Sequence, residues 1–163
     1  MSFDRRPSMV DVALWTAKFL AERSTCKRAQ CGAVVLDPTG LCFTGLGYNG
    51  QPRLLPNDGC NEQEGTCGCV HAEVNAVLKS GWSPGATLCC THLPCPMCAR
   101  LIINAGISTL YAIKPYRDLG GIPVMKAAGI RVFLGDVEIA KVNFHGGRWH
   151  TEDVTGKWTE LPA

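Results

Sequence analysis

Two short segments constrain this chain more than anything else in it: Val70-His71-Ala72-Glu73-Val74-Asn75-Ala76 and Leu93-Pro94-Cys95-Pro96-Met97-Cys98-Ala99. The first supplies an imidazole and, two residues on, a carboxylate; the second supplies two thiols three residues apart behind a proline. One His and two Cys leave the fourth position of a tetrahedral Zn²⁺ open to water, whereas structural sites usually close all four with protein. A carboxylate that is not itself a ligand can then move the protons of that water. The constellation implies zinc-dependent hydrolytic chemistry, with His71, Cys95 and Cys98 as ligands and Glu73 as the proton carrier.

Such a site dictates local structure. Cys95 and Cys98 stand at i and i+3, on one face of a helix and at its first turn. Pro94 and Pro96 suit that start, where a missing N–H costs nothing. His71 sits near the beginning of its own helix, so two helix N-termini point at one metal, and their positive dipole ends favour thiolate over thiol. Residues i and i+2 of a regular helix do not share a face. His71 and Glu73 therefore converge only if both project over the helix end.

The rest of the chain reads as alternating elements. Ser8 can cap a helix over 8–22, with Met9, Val10, Ala13, Leu14, Ala17, Phe19 and Leu20 at roughly helical spacing. Two apolar strands, 31–36 and 41–46, flank the turn Asp37-Pro38-Thr39-Gly40 and make a hairpin. Gly47-Tyr48-Asn49-Gly50 then reads as a turn, lacking the Lys-Ser/Thr that ends a phosphate loop. A long polar loop, 51–69, leads into the first segment, and loops of that length are usually functional or separately tied down. Helices at 71–79, 95–105 and 122–128 alternate with strands at 86–91, 109–113 and 130–134, which gives an α/β sandwich with a mixed sheet. Beyond 135 the pattern fades; Asn143-Phe144-His145-Gly146-Gly147-Arg148-Trp149-His150 has no zinc-site spacing and reads as part of a terminal extension.

At 163 residues, one domain is expected over 1–163, with a core at about 8–134 and a C-terminal extension over 135–163. The first residues hold no apolar run or cleavage site, so no secretory signal is expected, and no window has the length of a membrane span. Ten cysteines in such a chain point to thiols kept for metal or packing in a reducing, cytoplasmic setting. Cys42, Cys89 and Cys90 fall in strands and read as small core residues. A net charge of +2 and 7% aromatic residues argue against a track for a nucleic-acid strand.

The two segments together, in this order and each at a helix start, match the zinc-deaminase signature. His71-Ala72-Glu73-Val74-Asn75-Ala76 resembles the form typical of deoxycytidylate (dCMP) deaminases. So do Gly47-Tyr48-Asn49-Gly50 and the run Cys98-Ala99-Arg100-Leu101-Ile102-Ile103-Asn104-Ala105-Gly106-Ile107. The pattern covers about 17–134. The resemblance implies a three-layer α/β/α sandwich with a mixed, about five-stranded sheet of the cytidine deaminase-like kind. It also implies one catalytic zinc and hydrolysis of dCMP to dUMP and ammonia, supplying thymidylate synthesis. In that scheme Glu73 takes a proton from the attacking water, delivers it to N3 of the base and then protonates the departing ammonia. Asn49 falls where the superfamily's sugar-contacting Asn lies, and the backbone around Ala72 would hold the base edge.

Some relatives hold a second, structural zinc. Here Cys60, Cys67 and Cys69, with Cys26, Cys31 or His92, are candidate ligands for one; the alternative is that they are reduced loop and core cysteines. Arg28, Arg53, Lys114 and Arg117 lie near candidate binding loops for a phosphate, and Tyr116 is placed to cover a substrate. The resemblance further implies a homo-oligomer, hexamer or dimer, and admits dCTP and dTTP as effectors. Two other readings compete: a deaminase of the superfamily acting on a free base, nucleoside, riboflavin precursor or nucleic acid, and a non-catalytic module in which all Cys and His are structural.

Overall fold

Ser8 opens the first helix, α1 (Met9–Ala21), through a reciprocal capping box. The Asp11 N–H donates to Ser8 Oγ at 3.1 Å, and the Ser8 N–H donates to the Asp11 carboxylate at 2.8 Å. The computed structural model describes residues 6–162; residues 1–5, part of the start where no secretory signal is expected, lie outside them. The remaining elements are β1 (Gly32–Leu36), β2 (Phe43–Tyr48), α2 (Ala72–Ser80), β3 (Thr87–His92), α3 (Pro96–Asn104), β4 (Thr109–Lys114), α4 (Gly121–Ala127) and β5 (Arg131–Leu134). They are followed by β6 (Val137–His145), β7 (Arg148–Asp153) and β8 (Trp158–Glu160).

The strands form one sheet in the order β2-β1-β3-β4-β5-β6-β7-β8. β1 runs antiparallel to both β2 and β3, whereas β3, β4 and β5 are parallel, joined by crossovers through α3 and α4. β1 is buried along its whole length because its side chains alternate between two layers. Val34 and Leu36 face Ala13 and Ala17 of α1, while Ala33 and Val35 face the layer of α2, α3 and α4. The α/β sandwich and mixed sheet expected from the sequence are therefore present.

The sheet has eight strands rather than five. The extra three come from the 135–163 extension, which reverses at Gly146 and Gly147 with φ of 60° and 78°, the positive values a two-residue hairpin turn needs. Its alternation is broken by an irregularity between Ile139 and Lys141. Ile139 and Val142 consequently both pack on the core despite their odd spacing, because a bulge inserts one residue and restores the facing. Cys89 and Cys90 are core residues as expected, but Cys42 is exposed, since it precedes the edge strand β2 and not a covered one.

Two glycines set the height of α2 over the sheet. A Cβ on Gly47 would stand 2.2 Å from the Ala72 carbonyl oxygen, and one on Gly45 would stand 2.2 Å from that of Ala76. Backbone therefore packs on backbone between β2 and α2. This close seat brings the N-terminus of α2 level with that of α3, beyond the C-terminal end of β3.

Candidate active site

His71 and Cys95 are the N-cap residues of α2 and α3, with φ/ψ of −72°/154° and −66°/164°. Both are extended, outside the helical register, and this resolves the spacing problem: His71 leaves the helix turn while Glu73 belongs to it, and the two face one cavity. His71 Nδ1 lies 3.5 Å from Cys95 Sγ and 3.4 Å from Cys98 Sγ. Bonds of about 2.3 Å to sulfur and 2.0–2.1 Å to nitrogen at a tetrahedral angle would put such atoms about 3.6 Å apart. All three donor atoms lie within 4.8 Å of one another, so the residues present fit a tetrahedral Zn²⁺.

The electrostatics agree with the donor geometry. Cys95 is held down to about 4, first by a hydrogen bond from Cys98, with His71 and the Cys98 N–H adding to it against burial. Cys98 is pushed well above the ordinary thiol value by sharing that proton with Cys95 and by burial. The His71 imidazole is raised, chiefly by its hydrogen bond to Cys95. Glu73 is 7% exposed, and burial pushes its carboxyl up to about 7, opposed by its own backbone N–H and by His71. A carboxyl at that value can both take and give a proton near neutrality.

The same cavity gathers most of the other candidates. Asn49, Ala72, Arg28, Tyr116 and Arg117 line it; Arg53 and Lys114 are exposed and do not. Asn49 is locked in place, its Oδ1 accepting the Cys31 N–H at 2.7 Å and its Nδ2 donating to the Ala29 carbonyl at 2.7 Å. Ala72 is the first residue of α2, so its N–H belongs to the group that lacks an intrahelical acceptor. Tyr116 is half-buried, and burial raises its hydroxyl while the Arg117 cation opposes the rise. The sequence alone assigns Trp149 no role at the site; from β7 its indole N–H donates to the Arg117 carbonyl at 2.9 Å. The Gly146-Gly147 pair inside a run of alternating residues was the available clue to that hairpin.

Four thiols gather a short way off. Cys26, Cys60, Cys67 and Cys69 lie within 4.8 Å of one another, with Cys26 and Cys60 sulfurs 4.0 Å apart. Cys60 is held down to about 7 by backbone N–H groups, that of Glu62 first and that of Lys27 next. Four sulfurs so placed fit a closed tetrahedral Zn²⁺. Of the fourth donors considered, Cys26 is the one that joins. Cys31 and His92 do not, because the antiparallel pairing of Ala33 with Cys90 carries them opposite each other, and Cys31 Sγ meets His92 Nδ1 at 3.5 Å.

Known proteins resemble this chain in sequence and in fold. A family model described as the cytidine and deoxycytidylate deaminase zinc-binding region matches residues 10–114, which include both ligand segments and all four clustered thiols. The deoxycytidylate deaminase of Saccharomyces cerevisiae is 36% identical over 141 residues, covering 78% of this chain and 45% of its own. That of Mycobacterium phage D29 is 36% identical over 119 residues, covering 63% of this chain and 91% of its own. The chain thus spans about half the length of the curated yeast relatives it matches. Among solved structures, the dCMP deaminase of cyanophage S-TIM5 in complex with dCMP and dUMP aligns with a TM-score of 0.69 at 32% identity, covering 78% of this chain and 97% of that one.

Proposed function

The chain belongs to the cytidine and deoxycytidylate deaminase family, and we propose that it hydrolyses dCMP to dUMP and ammonia, supplying dUMP for thymidylate synthesis. The observation that carries this reading is the convergence of three metal donors and one buried carboxylate on a single cavity. The dCMP- and dUMP-bound relative supports the choice of nucleotide.

His71, Cys95 and Cys98 would hold Zn²⁺, which when bound supplies a Lewis acid that brings the pKa of a water near neutrality. Glu73 takes a proton from the attacking water and gives it to N3 of the pyrimidine as the C4–O bond forms. It then takes the remaining proton of the hydroxyl added at C4 and passes it to the amino group as the C4–N bond breaks, so that water and dCMP leave as dUMP and ammonia. Glu73 can serve in both directions because burial has already brought its carboxyl near 7. The Ala72 N–H holds the base edge, and Asn49, fixed by its two backbone hydrogen bonds, meets the sugar.

The four-thiol cluster is a second, structural zinc site that braces the 51–69 loop against the loop after α1. The whole of 1–163 is one deaminase domain, with the extension completing the sheet. Among the described residues no helix is long and apolar enough to cross a membrane. Six of the ten cysteines, Cys26, Cys60, Cys67, Cys69, Cys95 and Cys98, fall in clusters that fit a metal, which supports thiols kept in a reducing, cytoplasmic setting. Exposed Leu46 on the edge strand and exposed Leu78 and Trp82 around the end of α2 support a homo-oligomer, dimer or hexamer. Regulation by dCTP and dTTP rests on the family resemblance.

An ammonia-release screen of the zinc-loaded protein over cytosine, cytidine, CMP, dCMP, dCTP and single-stranded DNA tests the reading. The highest kcat/KM is expected for dCMP. A higher value for a free base, a nucleoside or DNA would replace it with another deaminase of the superfamily.

A further inference from the structure

The mouth of the cavity carries a contact for which the deamination chemistry has no use. Arg28, in the loop after α1, and Arg117, after β4, both line the cavity and both face one carboxylate. Arg117 Nη1 lies 2.8 Å from Glu64 Oε1, and Arg28 Nη2 lies 3.9 Å from Glu64 Oε2. Each oxygen of Glu64 is thus turned to a different guanidinium. The Glu64 side chain is 65% exposed, and ion pairs of that exposure contribute little to stability. The fold does not need this one.

The arrangement is nevertheless held from several directions. Glu64 rides the tip of a turn between Cys60 and Cys67, closed by the Gln63 N–H donating to Asn61 Oδ1 at 2.9 Å and by Asn61 Nδ2 donating to the Thr66 carbonyl at 3.0 Å. Arg117 is positioned through its carbonyl by Trp149, and its guanidinium lies 5.3 Å from the centroid of the Tyr116 ring. Two cations and an anion, fixed on three separate segments, therefore meet at the rim of a cavity read as a nucleotide site.

Guanidinium forks match carboxylate and phosphate alike, but a phosphate dianion brings more charge and more acceptor oxygens than a carboxylate. The geometry points to Glu64 as a stand-in for the substrate's 5′-phosphate: its carboxylate occupies the place between Arg28 and Arg117 that the phosphate takes on binding. This rests on the reading of the site as a nucleotide deaminase. A nucleoside, with no phosphate, cannot displace Glu64 and gains nothing from the two arginines. A nucleotide exchanges one anion for a stronger one, so the pair selects for the phosphate while the free enzyme is spared two uncompensated cations at the rim.

The test uses the zinc-loaded full chain, with turnover on dCMP and deoxycytidine and calorimetric binding of dUMP and deoxyuridine. Arg117→Ala and Arg28→Ala are each expected to lower the dCMP-to-deoxycytidine ratio of kcat/KM by about 10–100-fold, mainly through KM, and Arg117→Lys to recover part of it. Glu64→Gln is expected to tighten dUMP by about 2–5-fold without tightening deoxyuridine. Glu62→Gln, which breaks the exposed 3.6 Å pair with Lys27, is the control and is expected to change neither. Weaker or unchanged dUMP binding in Glu64→Gln overturns the stand-in. Turnover of dCMP with an unchanged ratio in both arginine variants overturns the clamp and keeps the deaminase reading. Loss of dUMP binding in Arg117→Ala, in a protein that releases no ammonia from dCMP, keeps the clamp and overturns the deaminase reading.

Discussion

The His71-Cys95-Cys98 triplet and the Cys26-Cys60-Cys67-Cys69 cluster are both tight sets of soft donors, each within 4.8 Å, yet they are made of different material. The triplet stands on the starts of α2 and α3, backed by the sheet, beside a cavity that Glu73 also lines. The cluster is built on loops, three of its four thiols are buried, and its partners from outside include the backbone N–H groups at Cys60 and the Gln51 amide, 3.5 Å from Cys69. On the proposed reading, what separates a catalyst from a brace is the number of donors and the carboxylate beside them, not the affinity of sulfur for zinc.

That contrast breaks or sharpens under substitution. Glu73→Gln is expected to keep zinc and fold while kcat on dCMP falls by about 10²–10⁴-fold or more; turnover near the wild-type level would reduce the triplet to a second brace. Cys60→Ser should act the other way, lowering stability by about 3–5 kcal/mol. At this chain length that is a loss of roughly 10 °C or more in Tm by calorimetry. The catalytic centre should keep its metal, and Cys60→Ser protein held well below its Tm should still turn over dCMP. Gly47→Ala should have the smallest effect, about 1–3 kcal/mol by urea denaturation, because the new Cβ must push α2 off β2. An unchanged midpoint there would mean that the height of the triplet is not set by this backbone contact.

The two clusters were not equally legible in the sequence. Cys95 and Cys98 announce themselves by helix-start spacing behind proline, and His71 by its partner Glu73, because local geometry alone brings these residues to a helix end. The extended N-cap conformation of His71, which lets His71 and Glu73 meet, is not a matter of spacing, and only the folded chain supplies it. The ligands of the cluster come together through a long loop, whose path depends on tertiary contacts. The sequence therefore left Cys26, Cys31 and His92 as equal candidates until the β1–β3 register paired the last two with each other. The helices and five strands up to residue 134 followed from apolar periodicity. Of the last three strands, β6 was hidden by a bulge that breaks the alternation on which such a reading depends. Trp149 and Glu64 were missed for different reasons: Trp149 reaches Arg117 from a strand far along the chain, whereas Glu64 lies in the loop just before His71 and is turned to Arg28 and Arg117 only by the folded path of that loop.

Zinc content per chain, measured by elemental analysis beside dCMP turnover on the wild type, Cys98→Ser and Cys60→Ser, tests the division of labour most directly. The account predicts one ion for each cluster in the wild type. Cys98→Ser should lose the ion of the triplet together with turnover, and Cys60→Ser should lose the ion of the cluster while still deaminating. A Cys98→Ser protein that keeps full turnover, or a Cys60→Ser protein that is fully folded and metal-bound at the triplet yet inactive, would contradict it.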